Sequence, residues 1–512
     1  METSNGGAPG NAGQPEGPSL LERLPGILRE ARRQADVVCA AATAADLSCW
    51  EVRGDGEASI RANAWAGGLL LQGDNLAALA ALVAEPTLRG AVDMVYVDPP
   101  FESHADYEAT VPVAGAAVTL PAYGDTWGAG TDSYVLMLAT RLILMRELLA
   151  PTGVLCLHLD WHVGHYARVL LDEIFGRGNF VNEVIWRYGK MARSPRRFAQ
   201  SHDTIFVYAK GPDYFFQPVD GEESEYKRRF RRYVVDNKVR YAAVKNSSDK
   251  LIRRRVAKVE KRLGRPLEDG DVLFDFATER KALTDVLDVP IIRGNARERV
   301  GYGTQKPEAL LEKIITAFCP RGGLVADFFA GSGTTAAVAA RTGRRWIMAD
   351  ASPVALLTIR RRAHRLGLDY AAARVGGGGD RDTGAERGAG GGVTAEARRR
   401  NGQLQVWISR CEVPLPQGLS QGDREQIQRE VAADPLALVA GWAVDPAADG
   451  KVLRPVWETF EPTRQITLNK EAAGRAGGVV AVRVLDVFGG QHMVHCGDRG
   501  ATTLLTHDHT KR

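Results

Sequence analysis

Short apolar runs alternating with amphipathic stretches constrain this chain most. The runs Gly68 to Asp74, Asp93 to Val97, Val154 to Leu159, Val181 to Trp186 and Thr204 to Ala209 are strand-length and rich in β-branched or aromatic side chains. Between them Asn75 to Val83, residues 132–149 and Tyr166 to Ile174 space their apolar residues for helices. The alternation returns with helix Glu308 to Phe318, strand Leu324 to Phe329, a helix reaching Ala340 and strand Arg345 to Ala349. It predicts an α/β chain with a mostly parallel, doubly wound sheet. In such sheets ligands collect beyond the carboxyl ends of the strands.

Two of those ends carry distinctive residues. The first strand stops at Asp98-Pro99-Pro100-Phe101, because proline offers no N–H to a sheet ladder. A carboxylate, an exposed carbonyl and an aromatic plate suit a flat heterocycle bearing an NH2 group. On four residues alone, an ordinary strand-ending turn competes with that reading. The second strand runs into Ala330-Gly331-Ser332-Gly333 and then a helix, a nucleotide-binding type of turn in which glycines let backbone N–H groups approach a ligand. Asp350, ending the next strand, is placed to take ribose hydroxyls. Thr334 and Thr335 break the full dinucleotide fingerprint, which favours a nucleoside without a pyrophosphate over NAD or FAD.

Between these halves lies a charged stretch. From Gly221 to Arg262 there are 15 Lys plus Arg against 6 Asp plus Glu, a local excess of +9 in a chain whose net charge is only +4. Tyr226, Phe230, Tyr233 and Tyr241 are interleaved. The stretch reads either as a solvated charged helix or as a phosphate-contacting insert. His158, His162 and His165 with Asp160 show no regular ligand spacing and read as polar loop residues; no metal is expected. The six cysteines form no C-x-x-C pair, which predicts free thiols in a reducing, cytoplasmic setting. No run is long enough to span a membrane, and none is expected as a partner.

Together these motifs resemble the β-class amino-methyltransferases of DNA that use S-adenosylmethionine, including the adenine-N6-specific modification subunits of type III restriction systems. The resemblance rests on Asp98-Pro99-Pro100-Phe101, Thr304-Gln305-Lys306-Pro307-Glu308 and Asp327 through Thr335, with the catalytic motif first and the cofactor motif last. Gly73-Asp74-Asn75, Asp172 to Phe175, Asn179-Phe180 and Ser201-His202-Asp203 through Lys210 add to it. It covers about residues 68–368. Gly303 stands where proline is commoner, and the Gly-, Ala-, Pro- and Thr-rich segment 102–131 is unusual; it reads as a loop and a candidate lid.

The resemblance implies a Rossmann-like S-adenosylmethionine-dependent methyltransferase sheet with a basic target-recognition insert and a C-terminal β-rich domain. It implies a catalytic role for Asp98, Pro99, Pro100 and Phe101. Cofactor contacts are implied for Asp74, Asn75, Thr304, Gln305, Lys306, Asp327, Phe329, Ala330, Gly331, Ser332, Gly333, Thr334, Thr335 and Asp350. Asp74 would touch the cofactor adenine, Asp350 its ribose, and Lys306 with the Gly331–Thr335 turn its methionine end. From the residues alone, Asp74 could equally cap the helix that starts at Asn75, and Lys306 could be a solvated lysine at a helix start.

The expected division is a disordered tail at 1–17, a catalytic half at 18–211, the insert at 212–303, a cofactor-binding half at 304–370, a flexible linker at 371–402 and a β-rich domain at 403–512. The expected reaction is site-specific methylation of adenine N6 in double-stranded DNA. Cytosine N4 methylation, a DNA-binding modification subunit with little activity alone, and methylation of RNA or protein are the other readings. A second copy of the chain and a restriction subunit are the further partners that the resemblance allows.

Overall fold

The computed structural model describes residues 19–62, 64–65, 67–101, 106–114, 116–124, 130–189, 196, 198–219, 229–276, 283–376, 392–473 and 478–497. The tail expected at 1–17 lies outside them. The chain divides into two compact units, one of residues 1–215 with 289–512 and one of 216–288.

The first unit opens with helix α1 (Leu20–Ala41), started by a capping box between Ser19 and Glu22. Strand β1 (Leu47–Arg53), strand β2 (Gly68–Gln72), helix α2 (Asn75–Ala84) and strand β3 (Val92–Val97) follow. After the hairpin strands β4 (Asp106–Val113) and β5 (Ala116–Gly124) come helix α3 (Thr131–Leu148), strand β6 (Leu149–Leu159) and helix α4 (Gly164–Phe175). Strands β7 (Phe180–Arg187) and β8 (His202–Ala209) end the first stretch.

The second unit holds strand β9 (Lys238–Arg240), helix α5 (Tyr241–Val244), helix α6 (Lys250–Leu263), strand β10 (Val272–Asp275) and strand β11 (Val286–Asp288). Its own core packs Phe230, Val239, Ile252, Val259, Phe274 and Phe276. Asp249 caps α6, and Gly264 ends it in the left-handed conformation. Ile252 and Val259 face this core, while Arg253, Arg254, Lys258, Lys261 and Arg262 are exposed. The insert expected at 212–303 is therefore shorter, because residues 289–303 return to the first unit.

The first unit resumes with helix α7 (Glu308–Phe318), strand β12 (Leu324–Asp327), helix α8 (Thr334–Arg341), strand β13 (Arg345–Asp350), helix α9 (Pro353–Arg365) and strand β14 (Tyr370–Val375). In the central sheet its strands run in the order β1-β14-β2-β13-β12-β3-β6-β8-β7. The six from β14 to β6 are parallel; β1 and β8 run against their neighbours. Apolar faces of α1, α2, α3 and α4 cover the buried strands in one continuous core. From β3 the chain steps through α3 to β6 on one side, whereas from β12 it steps through α8 to β13 on the other. The β3–β12 boundary is thus the switch point at which an open α/β sheet leaves a crevice.

Two expectations change here. The segment 102–131, read as a loop, contains the paired strands β4 and β5. Its alternating Ala109, Val111, Val113, Val118 and Leu120 are buried in one cluster with the C-terminal sheets, a partner too far along the chain to be seen locally. The linker expected at 371–402 is shorter too, since β14 joins the central sheet and strand β15 (Val393–Arg400) pairs with strand β16 (Gln403–Cys411). Residues 377–391 lie outside the described ones.

The C-terminal region is β-rich, as expected. β15, β16 and strand β19 (Gln465–Leu468) form one sheet; strands β17 (Val439–Asp445), β18 (Trp457–Thr459), β20 (Val480–Asp486) and β21 (Gln491–Cys496) form another, with helix α10 (Gln421–Ala433) between. A buried ion network joins this region to the central sheet. Glu51 on β1 accepts from Arg360 on α9 at 2.7 Å and from Arg483 on β20, and Glu458 on β18 pairs with Arg483 and Arg53. Glu51 and Arg483 are fully buried. Among the described residues, no helix is long and apolar enough to cross a membrane.

Candidate functional site

β3 and β12 lie side by side with Tyr96 in register with Asp327, so the turns that follow them must meet. They form a cavity lined by both motifs and partly open to solvent. Asp98, Pro99, Pro100 and Phe101 line one side. Asp327, Phe329, Ala330, Gly331, Ser332, Thr334 and Thr335 line the other, joined by Asn75, Thr304, Lys306 and Asp350.

Asp98 leaves one oxygen in use and one bare. Lys306 Nζ donates to its Oδ2 at 2.6 Å and sits 5.1 Å from the centre of the Phe101 ring. Asp98 Oδ1 is buried and has no hydrogen-bond partner among the described residues. A buried carboxylate oxygen without a donor is costly, so the geometry suits a ligand that brings one.

Across the cavity the glycine turn is built by carboxylates. Asp327 is buried; its Oδ2 accepts the Thr335 hydroxyl at 2.6 Å and its Oδ1 the Phe329 N–H at 3.0 Å. Burial, with a smaller push from the Asp98 and Asp350 charges, raises its carboxyl to about 7 against those two hydrogen bonds. Asp350 accepts the N–H groups of Gly331 and Ser352, each at 2.8 Å, and burial pushes its carboxyl up. Gly331 has φ +46°, and a Cβ there would stand 3.2 Å from the Tyr302 ring. That close, side-chain-free backbone is the cradle a nucleoside cofactor needs.

Three sequence-predicted residues do not line the cavity. Asp74 is the N-cap of α2, its Oδ1 accepting the N–H groups of Leu76 and Ala77 at 3.0 Å. Its neighbour Asn75 lines the cavity instead, donating to Phe328 O at 2.9 Å and accepting from Arg141 Nε at 2.6 Å. Gln305 holds the preceding loop, donating to Glu298 O at 2.6 Å and accepting the Val300 N–H at 2.9 Å. Gly333 packs under the turn, where a Cβ would meet Ile359 at 2.8 Å. Lys306 is not the solvated lysine of the alternative reading, since it is bound to Asp98.

Sequence reasoning missed Tyr96, Tyr302 and Arg362. Tyr96 and Tyr302 line the cavity; Tyr302 arrives on a loop that bridges to Ala109 of the hairpin. Arg362 of α9 donates to Ser332 O at 3.2 Å and Thr334 Oγ1 at 3.1 Å and pairs with Glu308, clamping the turn from below. The motif pattern around Gly331 carries no trace of that clamp. His158 is also misread as a loop residue, because it sits fully buried in β6. His162 binds Asp160 at 2.6 Å, and His165 is exposed at the start of α4.

The StyLTI Mod subunit of a type III restriction-modification enzyme from Salmonella typhimurium is 27% identical over 333 residues, 52% of this chain and 49% of that one. The chain therefore spans about half the length of that relative. The type II methyltransferase M.EcaI of Enterobacter cloacae is 26% identical over 319 residues, 56% of this chain and 68% of that one. Among solved structures, the M1.HpyAVI–SAM complex aligns over 58% of this chain and 98% of its own at 16% identity and TM-score 0.35. The cytosine-N4-specific PvuII DNA methyltransferase aligns over 58% and 86% at 15% identity and TM-score 0.35. The family model described as DNA methylase, of the N6 and N4 type, matches residues 92–360. That span takes in both walls of the cavity and more than half of the chain, which belongs to the N6/N4 DNA methylase family.

Proposed function

We propose that the protein transfers a methyl group from S-adenosylmethionine to the N6 amino group of an adenine flipped out of double-stranded DNA. The observation that carries this reading is the bare, buried Oδ1 of Asp98 in a cavity shared with the Gly331–Thr335 turn. Asp350, Asn75 and the turn would hold the cofactor, which when bound supplies an electrophilic sulfonium methyl.

An adenine amine is a poor nucleophile because its lone pair is delocalised into the ring. Asp98 Oδ1 and the Pro99 carbonyl accept its two hydrogens, which lets the nitrogen move towards tetrahedral geometry and aim its lone pair at the methyl carbon. Alignment supplies most of the rate, and the two acceptors stabilise the positive charge that develops on nitrogen. Asp98 Oδ1 then takes the proton that the methylated nitrogen sheds. Lys306 fixes the carboxylate through Oδ2 and keeps that oxygen out of competition. Such a pocket cannot reach a base inside a duplex, so the base rotates out and stacks on Phe101.

The exposed cations of α6 would contact phosphates and release counterions. An aspartate ahead of Pro-Pro leans towards adenine by the family resemblance; cytosine N4 is the second reading. The Mod-subunit likeness supports a restriction subunit as a partner; a second copy of the chain is a partner that the family resemblance allows. Mass spectrometry of nucleosides from plasmid treated with enzyme and labelled cofactor tests the whole reading. Labelled N6-methyladenine supports it, labelled N4-methylcytosine replaces it, and label on RNA or protein alone removes it.

A further inference from the structure

The loop ahead of helix α7 is seamed to the hairpin β4–β5 by two glycines. Gly301 O accepts the Thr110 N–H of β4 at 3.1 Å, and Tyr302 bridges antiparallel to Ala109. A Cβ on Gly301 would stand 2.8 Å from Thr110 O, and one on Gly303 would stand 2.8 Å from Glu108 O. Both carbonyls belong to the backbone of a paired strand, so neither can swing aside as a flexible side chain would. Gly303 lies outside the left-handed region; the passing hairpin, not the local backbone conformation, is what demands glycine there. The two departures from the family pattern, Gly303 for the commoner proline and the segment 102–131, are thus two sides of one contact. The transfer described above uses neither.

The same loop is part of the cavity wall. Tyr302, Thr304 and Lys306 line the cavity, while Gly301 and Gly303 press on the hairpin. The Tyr302 ring fills the space that a side chain on Gly331 would need, since a Cβ there would stand 3.2 Å from it. Tyr302 shares one buried cluster with Ala109 and Val111 of β4, Val354 of α9, and Val406 and Trp442 of the C-terminal sheets. Helix α10 of that region packs on β5. Among the described residues, none of the hairpin lines the cavity.

From this contact we infer that the hairpin β4–β5 is a positioning element for the cofactor site: it seats the Gly301–Gly303 loop so that the Tyr302 ring closes the wall beside Gly331, and the C-terminal sheets hold the hairpin in turn. A wall residue already held from behind has little freedom left to lose when a ligand packs on it, so binding costs less ordering. The C-terminal region thereby supports cofactor binding without touching the cofactor. The inference rests on S-adenosylmethionine occupying this cavity, and not on which base receives the methyl group.

Gly303→Ala forces the loop and the hairpin apart. Cofactor affinity by calorimetry should fall roughly 5–150-fold, the usual span for coupled sites, while affinity for a labelled DNA duplex stays within about 3-fold. Equal losses of both, or an unchanged cofactor affinity, overturn the inference. Coupling is reciprocal, so hydrogen exchange in the wild-type protein reports it even if Gly303→Ala fails to fold. With saturating S-adenosylhomocysteine, the product nucleoside, the peptides of β4 should exchange more slowly, and by a larger factor than those of helix α1. Slowing no greater than in α1 overturns the inference. Binding with an unresponsive hairpin removes only the hairpin's role, whereas no calorimetric heat with either nucleoside removes the cofactor assignment along with it.

Discussion

Lys306 Nζ stands 2.6 Å from Asp98 Oδ2, although 208 residues separate them in the chain. The pair fixes which face of the carboxylate meets a ligand, since Lys306 takes one oxygen and leaves the other bare. It also ties the start of α7, and through the Thr334 hydroxyl bound to Lys306 O at 3.2 Å the cofactor-side turn, to the end of β3. The two halves of the site are thus held by a direct contact.

Asp98→Ala should abolish methyl transfer while leaving cofactor binding measurable by calorimetry, because the cofactor-side turn keeps its bonds to Asp327, Asp350 and Arg362. Lys306→Met should lower kcat by roughly 10–100-fold, since a free carboxylate loses its orientation. Cofactor affinity lost in step with activity in Asp98→Ala would show that its role is misassigned.

Gly333 has φ +70°, and a Cβ there would stand 2.8 Å from Ile359 Cγ1. Gly333→Ala should cost about 1–3 kcal/mol of stability from backbone strain and the close contact. Urea unfolding of the two proteins checks it, and equal midpoints would contradict the packing described.

Asp327 carries a pH signature. With its folded carboxyl raised to about 7 and an ordinary value of about 4 in the unfolded chain, the folded protein binds the extra proton between those limits. This group therefore makes stability fall as pH rises from about 4 to about 7, and adds no slope above that. Asp327→Asn should remove that contribution, seen as a flatter pH dependence of unfolding free energy. An unchanged slope would mean that Asp327 is ionised in the fold.

Glu51 is fully buried between Arg360 and Arg483. Glu51→Leu should destabilise by about 3–5 kcal/mol, because it takes the buried Arg360 guanidinium's ion-pair partner and one of the two carboxylates that hold Arg483. A chain ending at residue 376 should aggregate on expression, since the faces of β4, β5 and α9 would lose the C-terminal sheets that bury them. An unchanged urea midpoint for Glu51→Leu would contradict the first expectation, and a soluble, monomeric truncated protein in gel filtration the second.

The sequence by itself determined the elements whose causes are local. Helix α7 begins and ends where the apolar period does, at Glu308 and Phe318. Prolines 99 and 100 end β3, and the glycines after β12 mark the turn, because those effects act within a few residues. Asp74 shows the limit: capping and ligand binding both ask for a carboxylate at a helix start, and the tertiary structure assigns it to the cap.

Only the tertiary structure decided the rest. The hairpin β4–β5 looked like a loop because its apolar side chains find their partners beyond residue 392. Arg483 breaks the apolar pattern of β20 and makes sense only beside Glu51, 432 residues earlier. Tyr96 and His158 sit in ordinary strand positions, and their hydrogen bond exists because β3 and β6 are neighbours in register. Strand order brings such groups together, and a linear pattern records only the period of each strand, not which strand lies beside it.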